Sequence, residues 1–203
     1  MITLYHIAPS RSSIILWMLE EIDHPFQVKV LDSKAGDNQQ SAYLAINPMG
    51  KVPAIEHNGQ IITESGAIAT YLADIFPEAK LNIPLHDPRR GHYLKWIFFN
   101  AGCLEPALID KMFNRPDVMQ AAAGWGNFEL VLDVMSKAVE HNTFLLGDTF
   151  SAADIVLGSG IRWGMMFKAI PERPEYVAYV KRLEARPALQ RAIAKDQEFA
   201  NAV

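Results

Sequence analysis

The hydrophobic positions of the first 80 residues change period several times, which predicts alternating strands and helices. Residues 2–7 and 26–31 alternate between apolar and polar side chains, as half-buried strands do. Between these segments, residues 12–22 carry apolar side chains at helical spacing. We therefore expect a β-α-β unit with parallel strands, joined by the right-handed crossover that such units almost always have.

The segment after this unit predicts a hairpin and a further helix. Residues 32–46 are polar and then helical in pattern, and a turn follows at 47–50. Short strands at 52–56 and 60–63 flank an Asn-Gly pair, a strong hairpin signal, and a helix begins at residue 64. The resulting order, βαβ-α-ββα with a mixed four-stranded sheet, is a thioredoxin-like plan.

Beyond residue 77 the pattern becomes helical. Pro77, Pro84 and Pro88 interrupt a stretch without periodicity, so we place a thioredoxin-like domain at 1–77, a linker at 78–87 and a second domain at 88–203. The helical patterns of the second domain cover residues 93–113, 127–139, 151–168, 174–185 and 187–195. We expect this domain to be an all-α bundle.

The clearest local signal in the second half is the run from Phe150 to Ile155. Ser151 and Asp154 have the spacing of a capping box, with Asp in place of the usual Glu or Gln, and Phe150 and Ile155 occupy the staple positions. We expect this motif to start a helix and to contribute about 1–2 kcal/mol to stability. Its predicted role is structural.

Composition narrows the function. The chain has 203 residues, a formal charge of −4 and no basic block, which argues against nucleic-acid binding. A lone Cys103 cannot form an internal disulfide, a Cys-x-x-Cys pair or a multi-cysteine zinc site. The histidines show no shared ligand spacing, so we expect no metal. The chain has neither a signal-peptide pattern nor a long apolar run, so we expect a cytoplasmic protein without a membrane span.

The first segment with candidate chemistry is Asn47–Ile55. A proline at the start of a strand cannot donate to a ladder, so Pro53 belongs at an edge or a bend. If the Val52–Pro53 bond is cis, the N–H and C=O of Val52 face outward and can pair with an extended peptide. The alternative is a simple turn followed by an edge strand.

The second segment, Glu64-Ser65-Gly66, opens a helix. The exposed amides of a helix N-terminus bind anions, Ser65 adds a hydroxyl, and Glu64 can hold an ammonium group. Together they suit the carboxylate and amine of an amino acid. Alternatively, Ser65 only caps the helix and Glu64 only interacts with its dipole.

The third segment, Ala8–Ser13, joins the first strand to its helix. Hydroxyl groups, the Arg11 guanidinium and a helix N-terminus meet here, and each of them favours a thiolate over a thiol. The alternative is that Ser10 is simply the N-cap of the helix and that Arg11 is solvated.

These segments, in this order and spacing, resemble a cytosolic glutathione transferase of the bacterial type. Asn47–Ile55 is similar to the family's Asn-Pro-x-x-x-Val-Pro signature, and Thr63–Leu72 is similar to its Glu-Ser-x-Ala-Ile stretch. Gly147–Gly158 resembles the Gly-Asp-x-Phe-Ser-x-Ala-Asp run of the helical domain. The resemblance covers essentially the whole chain. It implies a detoxifying enzyme that binds glutathione as co-substrate, with a cis peptide bond before Pro53.

The resemblance also implies roles for individual residues in glutathione binding. The Val52 main chain next to Pro53 should pair with the cysteinyl part of glutathione. Glu64 and Ser65 should hold the γ-glutamyl amine and carboxylate. The glycine carboxylate should meet Lys51 and, less directly, Lys34.

The residue that activates the thiol is the open choice, because family members use Tyr, Ser or Cys in the loop after the first strand. We favour Ser10 assisted by Arg11, then Ser12, then Tyr5, because Tyr5 sits inside the strand pattern and can point into the core. The absence of Cys from this loop weighs against the branch of the family that forms mixed disulfides.

The function implied is conjugation of glutathione to small hydrophobic electrophiles, by a protein that is a homodimer as family members usually are. Candidate walls of the electrophile pocket are Phe99, Cys103, Trp163, Met166 and Phe167, although such aromatic and Met stripes more often form ordinary core. The alternatives are glutathione-dependent peroxide or disulfide reduction, and a non-catalytic binding module with the same fold.

Overall fold

The computed structural model describes residues 1–115, 119 and 121–202. They form two compact units, Met1–Lys80 together with Ala185–Val203, and Leu81–Glu184. The strands are β1 Ile2–His6, β2 Phe26–Val30, β3 Ala54–His57 and β4 Gln60–Thr63. The α-helices are α1 Ser12–Ile22, α2 Ser41–Leu44, α3 Ser65–Ile75, α4 Arg90–Phe99, α5 Glu105–Met112, α6 Phe128–Val139, α7 Ala152–Met166, α8 Pro174–Glu184 and α9 Pro187–Asn201.

The first unit is built on a mixed four-stranded sheet in the order β2-β1-β3-β4. β1 is parallel to β2 and antiparallel to β3, and β3 and β4 form a hairpin. Asn58 and Gly59 both have positive φ angles, 52° and 74°, as the tight turn of such a hairpin requires. The thioredoxin-like plan predicted from periodicity is confirmed.

The strand register brings the candidate segments to one end of the sheet. Tyr5 pairs with Ala54, and Ala54 pairs with Thr63, so the end of β1, the start of β3 and the end of β4 lie side by side. His6 pairs with Val30 at the end of β2. The loops that carry the three candidate segments therefore lie at the same end of the sheet.

Helix α9 packs on α1 within the first unit. Glu20, almost fully buried, pairs with Arg191 at 2.8 Å and with Lys195 at 2.5 Å, and Arg186 pairs with Glu21 at 2.6 Å. Burial opposes ionisation of Glu20, but its hydrogen bonds to Lys195 and Arg191 outweigh burial and lower its pKa. The helical periodicity of residues 187–195 predicts that this segment belongs to the helical domain. These long-range ion pairs explain why the structure groups it with the sheet.

The second unit is helical, and its predicted capping box is present. Ser151 and Asp154 bond to each other's main chain at the start of α7. The same carboxylate accepts the Leu145 N–H at 2.8 Å and the Tyr179 hydroxyl at 2.8 Å. The motif thus joins α7 to α8 and to the loop before it.

The helix predicted over residues 93–113 contains an irregular turn. α4 continues through a π-helical turn at Asn100–Leu104 into α5. Such single π turns insert an extra residue into an otherwise regular helix. Within the described residues, no helix is long and apolar enough to cross a membrane.

Candidate functional site

A buried asparagine shapes the turn before β3. The Met49 N–H donates to Asn47 Oδ1 at 3.1 Å, and Asn47 Nδ2 donates to the Lys51 carbonyl at 2.8 Å. The Tyr43 hydroxyl donates to the same carbonyl at 2.7 Å. Three side-chain hydrogen bonds therefore hold the chain directly before Val52.

The turn also requires glycine at position 50. Gly50 has a φ of +61°, and a Cβ there would lie 2.6 Å from the Gln39 side-chain amide and 3.0 Å from the Asn38 carbonyl. The Asn38 side chain in turn donates to the Gly50 carbonyl at 2.8 Å. The close approach of residues 38–39 leaves no room for a side chain.

Val52 has an unpaired main chain. The Val52–Pro53 bond is cis, as predicted. The Val52 side chain packs against the cluster of Tyr5, Tyr43 and Ala54. Among the described residues, none makes a hydrogen bond with the N–H or C=O of Val52. Both groups can therefore accept a partner from outside the chain.

Helix α3 begins without a side-chain cap. Glu64, the residue before the helix, has φ 69° and ψ 120°, a conformation that non-glycine residues rarely adopt. Backbone strain of this kind clusters at functional sites. In the described part of the chain, neither the Glu64 carboxylate nor the Ser65 hydroxyl has a hydrogen-bond partner, so Ser65 does not serve as a cap. The start of α3 thus offers free donors and an exposed carboxylate.

The loop after β1 differs from the predicted N-cap. α1 begins at Ser12 with Arg11 as its cap residue, so Ser10 lies one position too early. Ser10 Oγ nevertheless accepts the Ser12 N–H at 3.1 Å. Ser13 N–H and Ile14 N–H donate to the carbonyls of Ser10 and Arg11. These first amides of α1 are therefore occupied, which leaves the hydroxyl of Ser10 as the principal donor of this loop.

Ser12 lies beneath Ser10 and is fully buried. Its Oγ lies 2.7 Å from Ser10 Oγ and 2.7 Å from Nδ1 of His6, and it accepts the Ile7 N–H at 3.2 Å. Ser10 is partly exposed, whereas Arg11 is exposed. Of the two serines, Ser10 is the one that a bound molecule can reach.

The remaining predicted residues divide into buried and exposed positions. Tyr5 is 4% exposed, its hydroxyl donates to Glu56 at 3.3 Å and accepts from Lys29 at 3.4 Å. Lys34 and Lys51 are exposed. The Tyr5 hydroxyl is thus already engaged within the sheet, whereas the two lysine ammonium groups face solvent.

Family models match both halves of the chain. The model described as "Glutathione S-transferase, N-terminal domain" matches residues 1–74, and the one described as "Glutathione S-transferase, C-terminal domain" matches residues 120–187. The chain belongs to the glutathione S-transferase family. The resemblance inferred from the three segments is confirmed.

Individual members of the family are distant in sequence. Glutathione S-transferase GstA of Escherichia coli O157:H7 is 29% identical over 158 residues, which cover 76% of this chain and 78% of the relative. A glutathione S-transferase of Hyoscyamus muticus is 26% identical over 196 residues, covering 90% of this chain and 92% of the relative.

Solved structures of other members share the fold across the chain. A glutathione transferase from Methylococcus capsulatus matches with a TM-score of 0.82 at 28% identity, covering 97% of this chain and 99% of the other. A glutathione transferase homologue from Sulfitobacter, solved with bound glutathione, matches with a TM-score of 0.78 at 25% identity, covering 96% and 98%.

The residues predicted to line the electrophile pocket of this family member all belong to the second unit. None of them lies in its core: Phe99, Cys103 and Trp163 are partly exposed, and Met166 and Phe167 are 55% and 63% exposed. Trp163 and Phe167 meet edge to face at 6.3 Å. Burial raises the pKa of the Cys103 thiol, which disfavours a nucleophilic role.

The hydrogen bonds around Ser12 extend to two residues that were not among the predicted site residues, His6 and Asp196. His6 Nε2 lies 3.0 Å from Asp196 Oδ1, off the axis of a good hydrogen bond, and Ser13 Oγ donates to that same oxygen at 2.8 Å. Asp196 comes from α9. No local pattern links residues this far apart in sequence, so only the packing of α9 on α1 reveals the contact.

Proposed function

We propose that this family member binds glutathione in its first unit, ionises the thiol and conjugates it to small hydrophobic electrophiles. The observation that carries the proposal is a set of polar groups without hydrogen-bond partners at one end of the sheet, among the residues that the structure describes. The main chain of Val52 and the side chains of Glu64 and Ser65 lack partners in the described residues, although the strand register places both segments together. Glutathione can satisfy each of these groups.

The chemistry of each group matches one part of the tripeptide. Val52 pairs with the cysteinyl main chain as an added strand would. The start of α3 and the Ser65 hydroxyl bind the γ-glutamyl carboxylate, and Glu64 binds its ammonium. Lys51 and Lys34 attract the glycine carboxylate. The Sulfitobacter homologue was solved with bound glutathione, which supports glutathione as the ligand.

Ser10 is the proposed activator of the thiol. A free cysteine thiol has a pKa near ~8.5, and lowering it by about two units requires roughly 2.7 kcal/mol of differential stabilisation. One hydrogen bond to a charged acceptor contributes about 1.5–3 kcal/mol. The Ser10 hydroxyl can therefore supply most of this stabilisation, and the positive charge of Arg11 adds to it.

In the reaction, the thiol proton passes to solvent and the thiolate sulfur forms a bond to an electrophilic carbon. The leaving group departs from that carbon with the bonding electron pair. Phe99, Trp163 and the other predicted wall residues of the second unit supply apolar surface for the electrophile.

We also propose that the protein is a homodimer, and sedimentation equilibrium should then give twice the mass of one chain.

The test compares Ser10→Ala with Tyr5→Phe, two variants that each remove one hydroxyl. Retention on immobilised glutathione measures binding, and conjugation of chlorodinitrobenzene at pH below the thiol pKa measures activation. We expect Ser10→Ala to lower the rate about 10–100-fold, because the thiolate loses its hydrogen bond. Tyr5→Phe should change the rate less than about threefold. The assignment would be contradicted if the Tyr5→Phe variant conjugated slowly while the Ser10→Ala variant kept the wild-type rate.

A further inference from the structure

A chain of polar groups runs inward from the proposed activator. Ser10 Oγ lies 2.7 Å from Ser12 Oγ, which lies 2.7 Å from His6 Nδ1. On the other side of the ring, His6 Nε2 faces Asp196 at 3.0 Å. His6 and Ser12 are fully buried, and all four residues belong to the first unit. The buried His6 imidazole thus lies between the Asp196 carboxylate and the Ser12 hydroxyl, and Ser10 lies beyond Ser12.

The hydrogen bonds to the main chain limit how the hydroxyl protons can be arranged. Ser12 Oγ accepts the Ile7 N–H at 3.2 Å, and Ser10 Oγ accepts the Ser12 N–H at 3.1 Å. Each hydroxyl has two lone pairs and one proton. One further acceptor position therefore remains on each serine, and the state of His6 decides how it is used.

When both ring nitrogens of His6 carry protons, Nδ1 donates to Ser12. Ser12 must then give its own proton away, either to Ser10 Oγ at 2.7 Å or to the Ile7 carbonyl at 3.3 Å, and the shorter contact is favoured. Ser10 then accepts two hydrogen bonds, so its own proton can only point outward, toward a bound thiolate.

When His6 is neutral, the arrangement reverses. Asp196 repels a lone pair at Nε2, so the single ring proton stays on that side and Nδ1 becomes an acceptor. Ser12 then donates to His6, and its open acceptor position can take the proton of Ser10. A Ser10 hydroxyl that donates inward in this way no longer stabilises the thiolate.

We infer that His6 and Asp196 are positioning residues that orient the Ser12 and Ser10 hydroxyls toward the glutathione sulfur. The inference rests on the proposed function. Among the residues that the structure describes, the charged group against the His6 ring is Asp196 on α9. Phe199 of α9 lies edge-on to the ring at 5.5 Å, Ser12 of α1 contacts Nδ1, and His6 pairs with Val30 of β2 in the sheet.

The test measures the pKa of the bound thiol, from the ultraviolet absorbance of the thiolate as a function of pH, beside the affinity for S-methylglutathione. Asp196→Asn removes the negative charge that faces His6 Nε2 at 3.0 Å. We expect the fraction of thiolate in the bound peptide to fall about tenfold at pH below the thiol pKa, with the affinity for S-methylglutathione unchanged. Adding His6→Asn to this variant should restore the thiolate, because the amide can donate to Ser12 irrespective of pH.

A matched control is available in the same unit. His57 Nδ1 lies 2.9 Å from the Tyr71 hydroxyl, so His57→Asn breaks a comparable contact away from Ser10 and should leave the thiol pKa unchanged. Equal thiol pKa values in wild type and Asp196→Asn, with a raised value in Ser10→Ala, would overturn the inference alone. A wild-type protein that binds neither glutathione nor S-methylglutathione would overturn the proposed function, and the inference with it.

Discussion

Helices α3 and α7 begin in opposite ways. At α7, Ser151 and Asp154 are fully buried and satisfy each other's main-chain groups. At α3, the preceding residue Glu64 is exposed, has a positive φ angle and provides no side-chain cap. Both start sites combine a serine with a carboxylic acid, adjacent at 64–65 and three residues apart at 151–154. Only at α7 do the two side chains bond to each other's main chain.

The two helices differ in whether side chains of the described residues cap their first turn. A capped start is structural, whereas an uncapped start has free groups for a ligand. The first amides of any helix need acceptors from outside the helix. α7 obtains them from the Ser151 side chain and from the Leu81 carbonyl, which accepts the Ala152 N–H at 2.9 Å. Asp154 also accepts hydrogen bonds from Leu145 and Tyr179. At α3, no side chain of the described residues caps the first amides, and they and the Ser65 hydroxyl are available to the proposed glutathione carboxylate. The changes that follow should therefore affect stability at α7 and binding at α3.

The largest effect is expected for Asp154→Ala. The change leaves the Leu145 N–H, the Ser151 N–H and the Tyr179 hydroxyl buried without an acceptor. Each orphaned group costs about 1–3 kcal/mol, so the free energy of unfolding should fall by at least about 3 kcal/mol. Urea denaturation measures it. Asp148→Ala, at an exposed aspartate, is the control and should stay within about 0.5 kcal/mol of wild type.

A smaller effect, of opposite kind at each site, is expected when serine is changed to alanine. Ser151→Ala should cost about 1–2 kcal/mol of stability, because a cap is lost, and should leave the affinity for glutathione unchanged. Ser65→Ala should change stability by less than about 0.5 kcal/mol, but should weaken glutathione binding about tenfold. Calorimetric titration and urea denaturation of both variants give the four values. If Ser65→Ala lost stability and kept its affinity, both helix starts would be structural.

The smallest effect is a pH dependence at α7. Burial raises the pKa of Asp154 to about 6, against the lowering effect of its hydrogen bonds, whereas the unfolded value is near ~3.9. A raised pKa means that the folded state holds the proton more tightly, so the contribution of Asp154 to stability grows as pH falls through about 6 and declines as pH rises.

The Asp154→Asn variant cannot bind this proton, so comparison with it isolates the contribution of Asp154 to the pH dependence of stability. Between about pH 6.5 and about pH 5.5, the free energy of unfolding of wild type should rise by about 0.7 kcal/mol relative to this variant. Urea denaturation of both proteins at the two pH values checks it. A relative fall over the same range would show that the hydrogen bonds to the carboxylate, rather than burial, control its pKa.

Much of the local structure follows from the sequence. The helix predicted over 12–22, the strand over 60–63 and the Asn58-Gly59 hairpin all occur in the structure. The capping box at α7 is also present. In each case the signal and its structure involve residues a few positions apart, so periodicity, turn residues or cap spacing suffice to predict them.

The cap residue of α1 and the packing of α9 do not follow from such local signals. Serine often caps helices, but Arg11 and not Ser10 is the cap residue of α1, and Ser12 is buried against His6 and the Ile7 main chain. α9 reads as one more helix of the bundle, and nothing near it in sequence indicates that it pairs with Glu20.

The sequence by itself determined the order of strands and helices, the family and the three segments that the proposed glutathione site uses. These depend on short-range spacing, which the chain carries in full. Tertiary structure alone decided that the Tyr5 hydroxyl is engaged within the sheet, that Glu20 pairs with α9, and that Asp196 meets His6. Such contacts join residues from distant parts of the chain, and their formation depends on how whole elements pack.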